Sequence, residues 1–320
     1  MTETRVPIIL DCDTGVDDAL ALALAVRSPR CDLVAVTTLA GNVDIERTTA
    51  NTLAVLDLLG ATGVPVHRGA SRPLVRPHVD AVYAHGTDGL GTARLPPSAR
   101  ALGPDRGPAA IVRLANAQPG EITLVCVGPL TNLAIALNVE PRLPDLLRRV
   151  VVMGGSFWEG GNVTPHAEFN TFCDPEAAAQ VFAAPFVDLT VVGLDVTHQT
   201  TLPRAIWEAT IGSIEPDRRL LDEVARHSFT ERRLEGLFLH DPLSVGVALD
   251  SSLVGTVRGE VRVTVDGEER GTTRVVGSGT TRVARTVDAA RFVAGFRATL
   301  GLSDLGGGAA MVEGVGTSAV

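Results

Sequence analysis

The sequence predicts an α/β fold: an open, mainly parallel sheet flanked by helices, in a single domain. Three observations carry that prediction. Short β-rich runs alternate with helical stretches along nearly the whole chain. Those runs are continuously apolar, as strands covered on both faces are. No internal repeat and no break in composition divides the 320 residues, a length that can bury a substantial core.

The elements follow in order. Val6–Leu10 reads as a short buried strand, Thr14-Gly15 as a tight turn, and an apolar helix runs from about Asp17 until Ser28-Pro29 breaks it, too short to span a bilayer. Strands at Asp32–Leu39, Val64–His67, Ile122–Val127, Val150–Met153 and Val187–Leu194 alternate with helical patterns at Ile45–Leu59, Ala109–Ala117, Leu130–Leu137 and Pro175–Ala183. From Pro203 to Leu239 the chain is mainly helical and strongly charged, with Arg218, Arg219, Arg226, Arg232 and Arg233 among acids. That reads as a solvated face, and its place just before His240 leaves room for a mobile lid. Val257–Val265 and Thr272–Val276, joined by Asp266-Gly267, predict a small β-hairpin near the C-terminus. A helix over Asp288–Leu300 closes the domain, set at residues 1–300. Residues 301–320, rich in Gly and Ala, are expected to form a disordered tail.

Composition narrows the chemistry. Apolar residues make up 45% and charged residues 20%, ordinary values for a soluble globular enzyme. A net charge of −9 argues against nucleic acid or an anionic membrane as partner. All 28 basic residues are Arg, which excludes Schiff-base chemistry and a P-loop lysine. Cys12, Cys31, Cys126 and Cys173 form no C-x-x-C pair and read as buried thiols in a reducing compartment. Cys12 is expected on the opposite strand face from Asp11 and Asp13. Met1-Thr2-Glu3-Thr4 lacks the features of a signal peptide, so the protein is expected to be cytoplasmic.

The most informative stretch is Val6–Ala25, VPIILDCDTGVDDALALALA. It places Asp11, Asp13, Asp17 and Asp18 at a strand end, where ligands bind in parallel sheets. One Asp there often caps the following helix, but four acids this close repel one another unless a cation sits among them. Oxygen-only ligands favour calcium or magnesium. Four further segments carry polar groups. In Ala40-Gly41-Asn42-Val43, Asn42 either caps a helix or binds a ligand. At Cys126-Val127-Gly128-Pro129-Leu130-Thr131-Asn132 a strand turns into a helix and exposes carbonyls suited to calcium. The segment from Val152-Met153-Gly154-Gly155-Ser156 to Asn170 offers Asn162, Glu168 and Asn170 to sugar hydroxyls, the last two on one side of an extended segment. Leu239-His240-Asp241-Pro242-Leu243 is either a structural turn or the source of a proton-transfer histidine.

In that order, DCDTGVDD, GN, GPLTN, MGG, AEFN and HDP resemble the nucleoside hydrolase family, the calcium-dependent inosine–uridine-preferring N-ribohydrolases, over nearly the whole chain. The resemblance implies that fold and hydrolysis of ribonucleosides to ribose and free base. It implies Ca²⁺ held by Asp13, Asp18, Asp241 and the carbonyl of Val127, with Asp13 as general base and His240 as the group that protonates or hydrogen-bonds the leaving base. Val127 stands where family members often have Thr, which leaves a carbonyl ligand unaffected. Asp17, Asn42 and Asn170 are implied at the 2′- and 3′-hydroxyls and Glu168 and Asn162 at the 5′-hydroxyl. Met153 is implied among the substrate contacts, and His85 near the base. Small-molecule nucleosides are then the partners, and a homodimer or homotetramer the assembly. Two other readings compete. A calcium-dependent ribose-binding protein without catalysis would keep the diol and metal ligands but drop the proton-transfer groups, whereas this chain keeps Asp13 and His240. A haloacid dehalogenase-like phosphatase would share DxD after a strand, but Gly15 and the absence of Lys speak against it.

Overall fold

The computed structural model describes residues 5–305. Its main sheet has eight strands: β1 (Val6–Cys12), β2 (Cys31–Thr38), β3 (Val66–Arg68), β4 (Thr123–Cys126), β5 (Arg149–Met153), β6 (Leu189–Val192), β9 (Val254–Val263) and β10 (Thr273–Val287). They lie in the order β3-β2-β1-β4-β5-β6-β10-β9. Neighbours are parallel except β9 and β10. A separate antiparallel pair joins β7 (Thr201–Pro203) to β8 (Gly236–Phe238).

The continuous apolarity of the strands is explained by a core on each face. Ile8, Leu10, Cys12, Val36, Val125 and Val151 point to one side, with the helices Val16–Arg27, Pro216–Thr230 and His240–Leu249. Ile9, Ala35, Leu124, Cys126, Val150 and Val152 point to the other, with Gly107–Ala117, Thr131–Val139 and Pro175–Ala183. Cys12 thus faces away from Asp11, as its strand position requires, and all four cysteines are buried and free. The helix Val16–Arg27 packs between the sheet and its neighbours, so nearly every residue in it is buried.

Most strand and helix bounds lie within three residues of the expected ones, and the helix Pro175–Ala183 matches them, since element ends are the least sharply fixed part of a periodic pattern. The larger corrections lie near the C-terminus. The hairpin is not a small appendage. Its second strand runs from Thr273 to Val287 and pairs in parallel with β6, so it extends the main sheet. Asp266-Gly267 lies inside a longer connection closed by Thr264 N to Thr272 O at 2.9 Å, rather than forming a two-residue turn. Leu302 and Leu305, in the stretch expected to be disordered, are buried in the core. The rest of that tail, 306–320, and residues 1–4 fall outside the described residues. The charged stretch before His240 is helical at Arg204–Glu208 and Pro216–Thr230, and its apolar stripe, Leu220, Leu221, Val224 and Phe229, is buried. Among the described residues no helix is long and apolar enough to cross a membrane.

Truncating Leu20, which is fully buried in the helix behind the acidic segment, tests this packing. Leu20→Ala should lower unfolding free energy by about 2–5 kcal/mol in a urea titration; a loss below about 0.5 kcal/mol would contradict a close-packed helix–sheet interface.

Candidate active site

Asp13 stands just past β1, wedged between two strand-end loops. An added Cβ at Gly41 would lie 2.0 Å from Asp13 Oδ2, and one at Gly128 would lie 2.6 Å from Oδ1. The glycines of the GN and GPLTN segments therefore let both loops close on this carboxylate. Asp13 Oδ2 accepts a hydrogen bond from Asn42 N at 2.7 Å, while Oδ1 is buried without a hydrogen-bond partner. Asp18 accepts from the backbone N–H groups of Asp13 and Gly15 at 3.1 and 2.8 Å and from Asn42 Nδ2 at 3.1 Å. Asn42 thus serves the acids. The helix it was a candidate to cap is capped by Asp44, whose carboxylate accepts from Arg47 N at 2.9 Å.

Asp241, in the first turn of the helix His240–Leu249, completes the cluster. Carboxylate oxygens of Asp17, Asp18 and Asp241 lie within 4.8 Å of one another. Burial raises all four carboxyls, and for Asp13, Asp17 and Asp241 the neighbouring charges add to it. Asp17 is pushed up to about 8, Asp13 and Asp241 well above the usual range, and Asp18 upward. A buried, oxygen-only donor set with one carboxylate oxygen left unpartnered fits a hard divalent cation. Asp11, the fourth acid of the opening motif, stands apart: it accepts from Asn132 Nδ2 at 2.7 Å and from Thr37 Oγ1, and burial pushes its carboxyl up to about 7. Its ties to β2 and to GPLTN are structural.

Asp17, Asn42, Val127, Met153, Asn162, Glu168 and Asn170 line one side of a cavity at the carboxyl ends of the strands. His85, His240 and Asp241 line it as well. The ring of His85 accepts at Nδ1 from Val16 N at 3.0 Å and lies 4.0 Å from Asp17; burial, then Arg232, lowers its pKa to about 3. Glu168 and Asn170 are not on an extended segment. Glu168 caps the short helix Phe169–Cys173, its oxygens accepting from the backbone N–H groups of Asn170, Thr171 and Gly155. Asn170 Nδ2 donates to the carbonyls of Val127 and Met153 at 2.9 and 3.3 Å, which leaves its Oδ1 for a ligand and a second lone pair on Val127. The His240-Asp241-Pro242 segment is a helix start rather than a turn. His240 is hydrogen-bonded through Nδ1 to Thr197 Oγ1 at 2.7 Å, and burial, then His198, lowers its pKa to about 3.

A family model described as inosine-uridine preferring nucleoside hydrolase matches residues 8–294. The chain belongs to this family. It is 37% identical over 266 residues to an inosine-uridine preferring nucleoside hydrolase of Leishmania major, covering 81% of this chain and 84% of that one. It is 39% identical over 273 residues to a non-specific ribonucleoside hydrolase of Escherichia coli, covering 85% and 88%. Among solved structures, a plant nucleoside hydrolase superposes with a TM-score of 0.87 at 32% identity, covering 92% of this chain and 99% of that one. A purine-preferring ribonucleoside hydrolase from Gardnerella vaginalis gives 0.85 at 33%, covering 93% and 99%. This nucleoside hydrolase is thus an enzyme acting on N-glycosyl bonds, and the phosphatase reading is overturned.

Sequence reasoning missed part of the cavity. His198 and Arg232 line it, beside Tyr83 and Phe238, two aromatics whose segments the sequence already brings toward the base. Arg232, assigned to a solvated face, stays exposed but borders the site because Arg233 turns the chain at φ 56° after the helix Pro216–Thr230. His198 follows β6 in a segment with no chemical signature of its own. Trp158 is not among the lining residues; its ring carries the Arg285 guanidinium at 4.2 Å.

The raised carboxyls of this nucleoside hydrolase have a stability consequence. A folded-state pKa above the ordinary 3.8 means the folded chain binds more protons, so stability falls as pH rises from about 4 to about 8. In EGTA the thermal midpoint should drop between about pH 6 and about pH 8, and Ca²⁺ should suppress the drop. A flat profile in EGTA would contradict the buried cluster.

Proposed function

We propose that this nucleoside hydrolase cleaves ribonucleosides with Asp13 as general base and His240 as the base-side hydrogen-bond donor, on a Ca²⁺-dependent site. The observation that carries the reading is the buried carboxylate cluster of Asp17, Asp18 and Asp241, with Asp13 bonded to Asp18 through its backbone and carrying a buried, unpartnered Oδ1, while His240 and the amides of Asn42, Asn162 and Asn170 line the cavity.

Asp13, Asp18, Asp241 and the Val127 carbonyl would hold the cation. When bound, Ca²⁺ supplies chelation of the vicinal diol and a water of lowered pKa. The protein's own groups do the rest. Asp17 and the Oδ1 atoms of Asn42 and Asn170 accept from the 2′- and 3′-hydroxyls, while Asn162 and Glu168 face the 5′ end. Cleavage of the C1′–N bond develops positive charge on the ribose, which the ionised cluster favours. Asp13 Oδ1 accepts a proton from the attacking water. His240 is held through Nδ1 by Thr197 Oγ1, and in the tautomer that carries its proton on Nε2 it offers that proton to the leaving nitrogen. The binding-only alternative would need Asp13 as a cation ligand but has no use for a proton-transfer group such as His240.

Ribose release from inosine, adenosine, guanosine, uridine and cytidine, with Ca²⁺ and after EGTA, tests the reading: Ca²⁺-dependent release is expected, and 2′-deoxyribonucleosides should be rejected by roughly 10⁴. Comparable rates on uridine and deoxyuridine would contradict diol recognition. Asp13→Ala should abolish turnover with the fold intact, and His240→Ala should cost about 10²–10⁴ on inosine but far less on an activated nitrophenyl riboside. Retention of more than about a tenth of the activity in Asp13→Ala would refute its role as base.

A further inference from the structure

The short segment after β6 holds His240 through Thr197 and also ties down a facing loop and a second histidine, which the roles above do not use. Asp195 accepts three backbone N–H groups of the facing loop, from Phe157 at 3.0 Å, Trp158 at 2.7 Å and Glu159 at 3.0 Å. Two residues on, Thr197 holds His240. The next residue, His198, is bonded through Nδ1 to Glu159 Oε2 at 3.1 Å, the very residue that Asp195 clamps. The loop is braced from its other side by Arg285 over Trp158.

His198 lines the cavity and its ring meets that of His240 edge-on, centroids 5.6 Å apart. Phe238 packs on both, at 5.0 and 5.4 Å. A carboxylate can only accept, so Glu159 fixes the proton of a neutral His198 on Nδ1. Nε2, without a protein partner among the described residues, is then a lone-pair acceptor. The two imidazoles are held differently: Glu159, a pure acceptor, makes His198 an acceptor at Nε2, whereas the Thr197 hydroxyl can donate to or accept from His240 Nδ1.

We propose that His198, oriented by Glu159, is a specificity-determining residue whose Nε2 accepts a hydrogen bond from a ring N–H of the base, so that it reads lactam bases against bases bearing a bare ring nitrogen there. The assignment rests on the ribohydrolase reading above. Glu159 is a positioning residue acting through His198.

Inosine, with an N1–H, and purine riboside, with a bare N1, form the test pair. In His198→Ala and in Glu159→Ala, the ratio of kcat/KM for inosine to that for purine riboside should fall about 5- to 20-fold relative to the unaltered protein. Glu159→Gln, whose amide oxygen still accepts from Nδ1–H, should keep the ratio within about twofold. Equal losses on both nucleosides would reveal a purely structural role, and an unchanged ratio would remove His198 from base recognition; either overturns the proposal. If the unaltered protein released no ribose from either nucleoside, the ribohydrolase reading would fail. The same comparison is then made on dissociation constants for the two nucleosides, where an unchanged preference in His198→Ala overturns the assignment of His198 by itself.

Discussion

Everything in this molecule is arranged around negative charge buried at the carboxyl end of β1. Asp13, Asp17, Asp18 and Asp241 cannot all ionise together away from water without a compensating charge. The chain lowers the cost with backbone and amide donors: Asn42 N on Asp13, and Asp13 N, Gly15 N and Asn42 Nδ2 on Asp18. No arginine is bonded to the four. A cluster left short of positive charge is suited to a cation and, through it, to a diol.

The fold makes that arrangement possible by geometry that loops alone would not supply. Five parallel strands end on one edge, and each delivers a different piece: Asp13 after β1, Asn42 after β2, Val127 after β4, Met153 at β5, and the Asp195–His198 segment after β6. Helices that start at this edge bring Asp17, Asp18, His240 and Asp241 in their first turns. Close approach is granted by glycine: Gly41 and Gly128 flank Asp13, where a methyl group would collide with the carboxylate.

The two sides of the cavity are held by different physics. Around the carboxylates and amides, side chains are fixed by backbone hydrogen bonds, and Glu168 is anchored by three of them. Around His240 and His198, each ring is held by a single partner, Thr197 and Glu159, and aromatic contact with Phe238 spaces the rings.

The sequence alone determined the α/β class and the strand-end location of the acidic segment, because the periodicity is local and a dense acidic motif has few physical explanations. It also carried the family, in the order of its short motifs. Which acids share one locus was decided by tertiary structure: Asp11 is two residues from Asp13 yet turned to Thr37 and Asn132, while Asp241 arrives from over 200 positions away. Likewise Asn42 was freed from capping by Asp44, the hairpin became part of the main sheet through β10 and β6, and Glu168 and Asn170 met at a helix start instead of along a strand. His198 and Arg232 carried no readable signal, since a single histidine or arginine gains its meaning from what faces it across space. Side-chain identity is written locally; the partners that set its charge, tautomer and exposure are chosen only when distant segments pack.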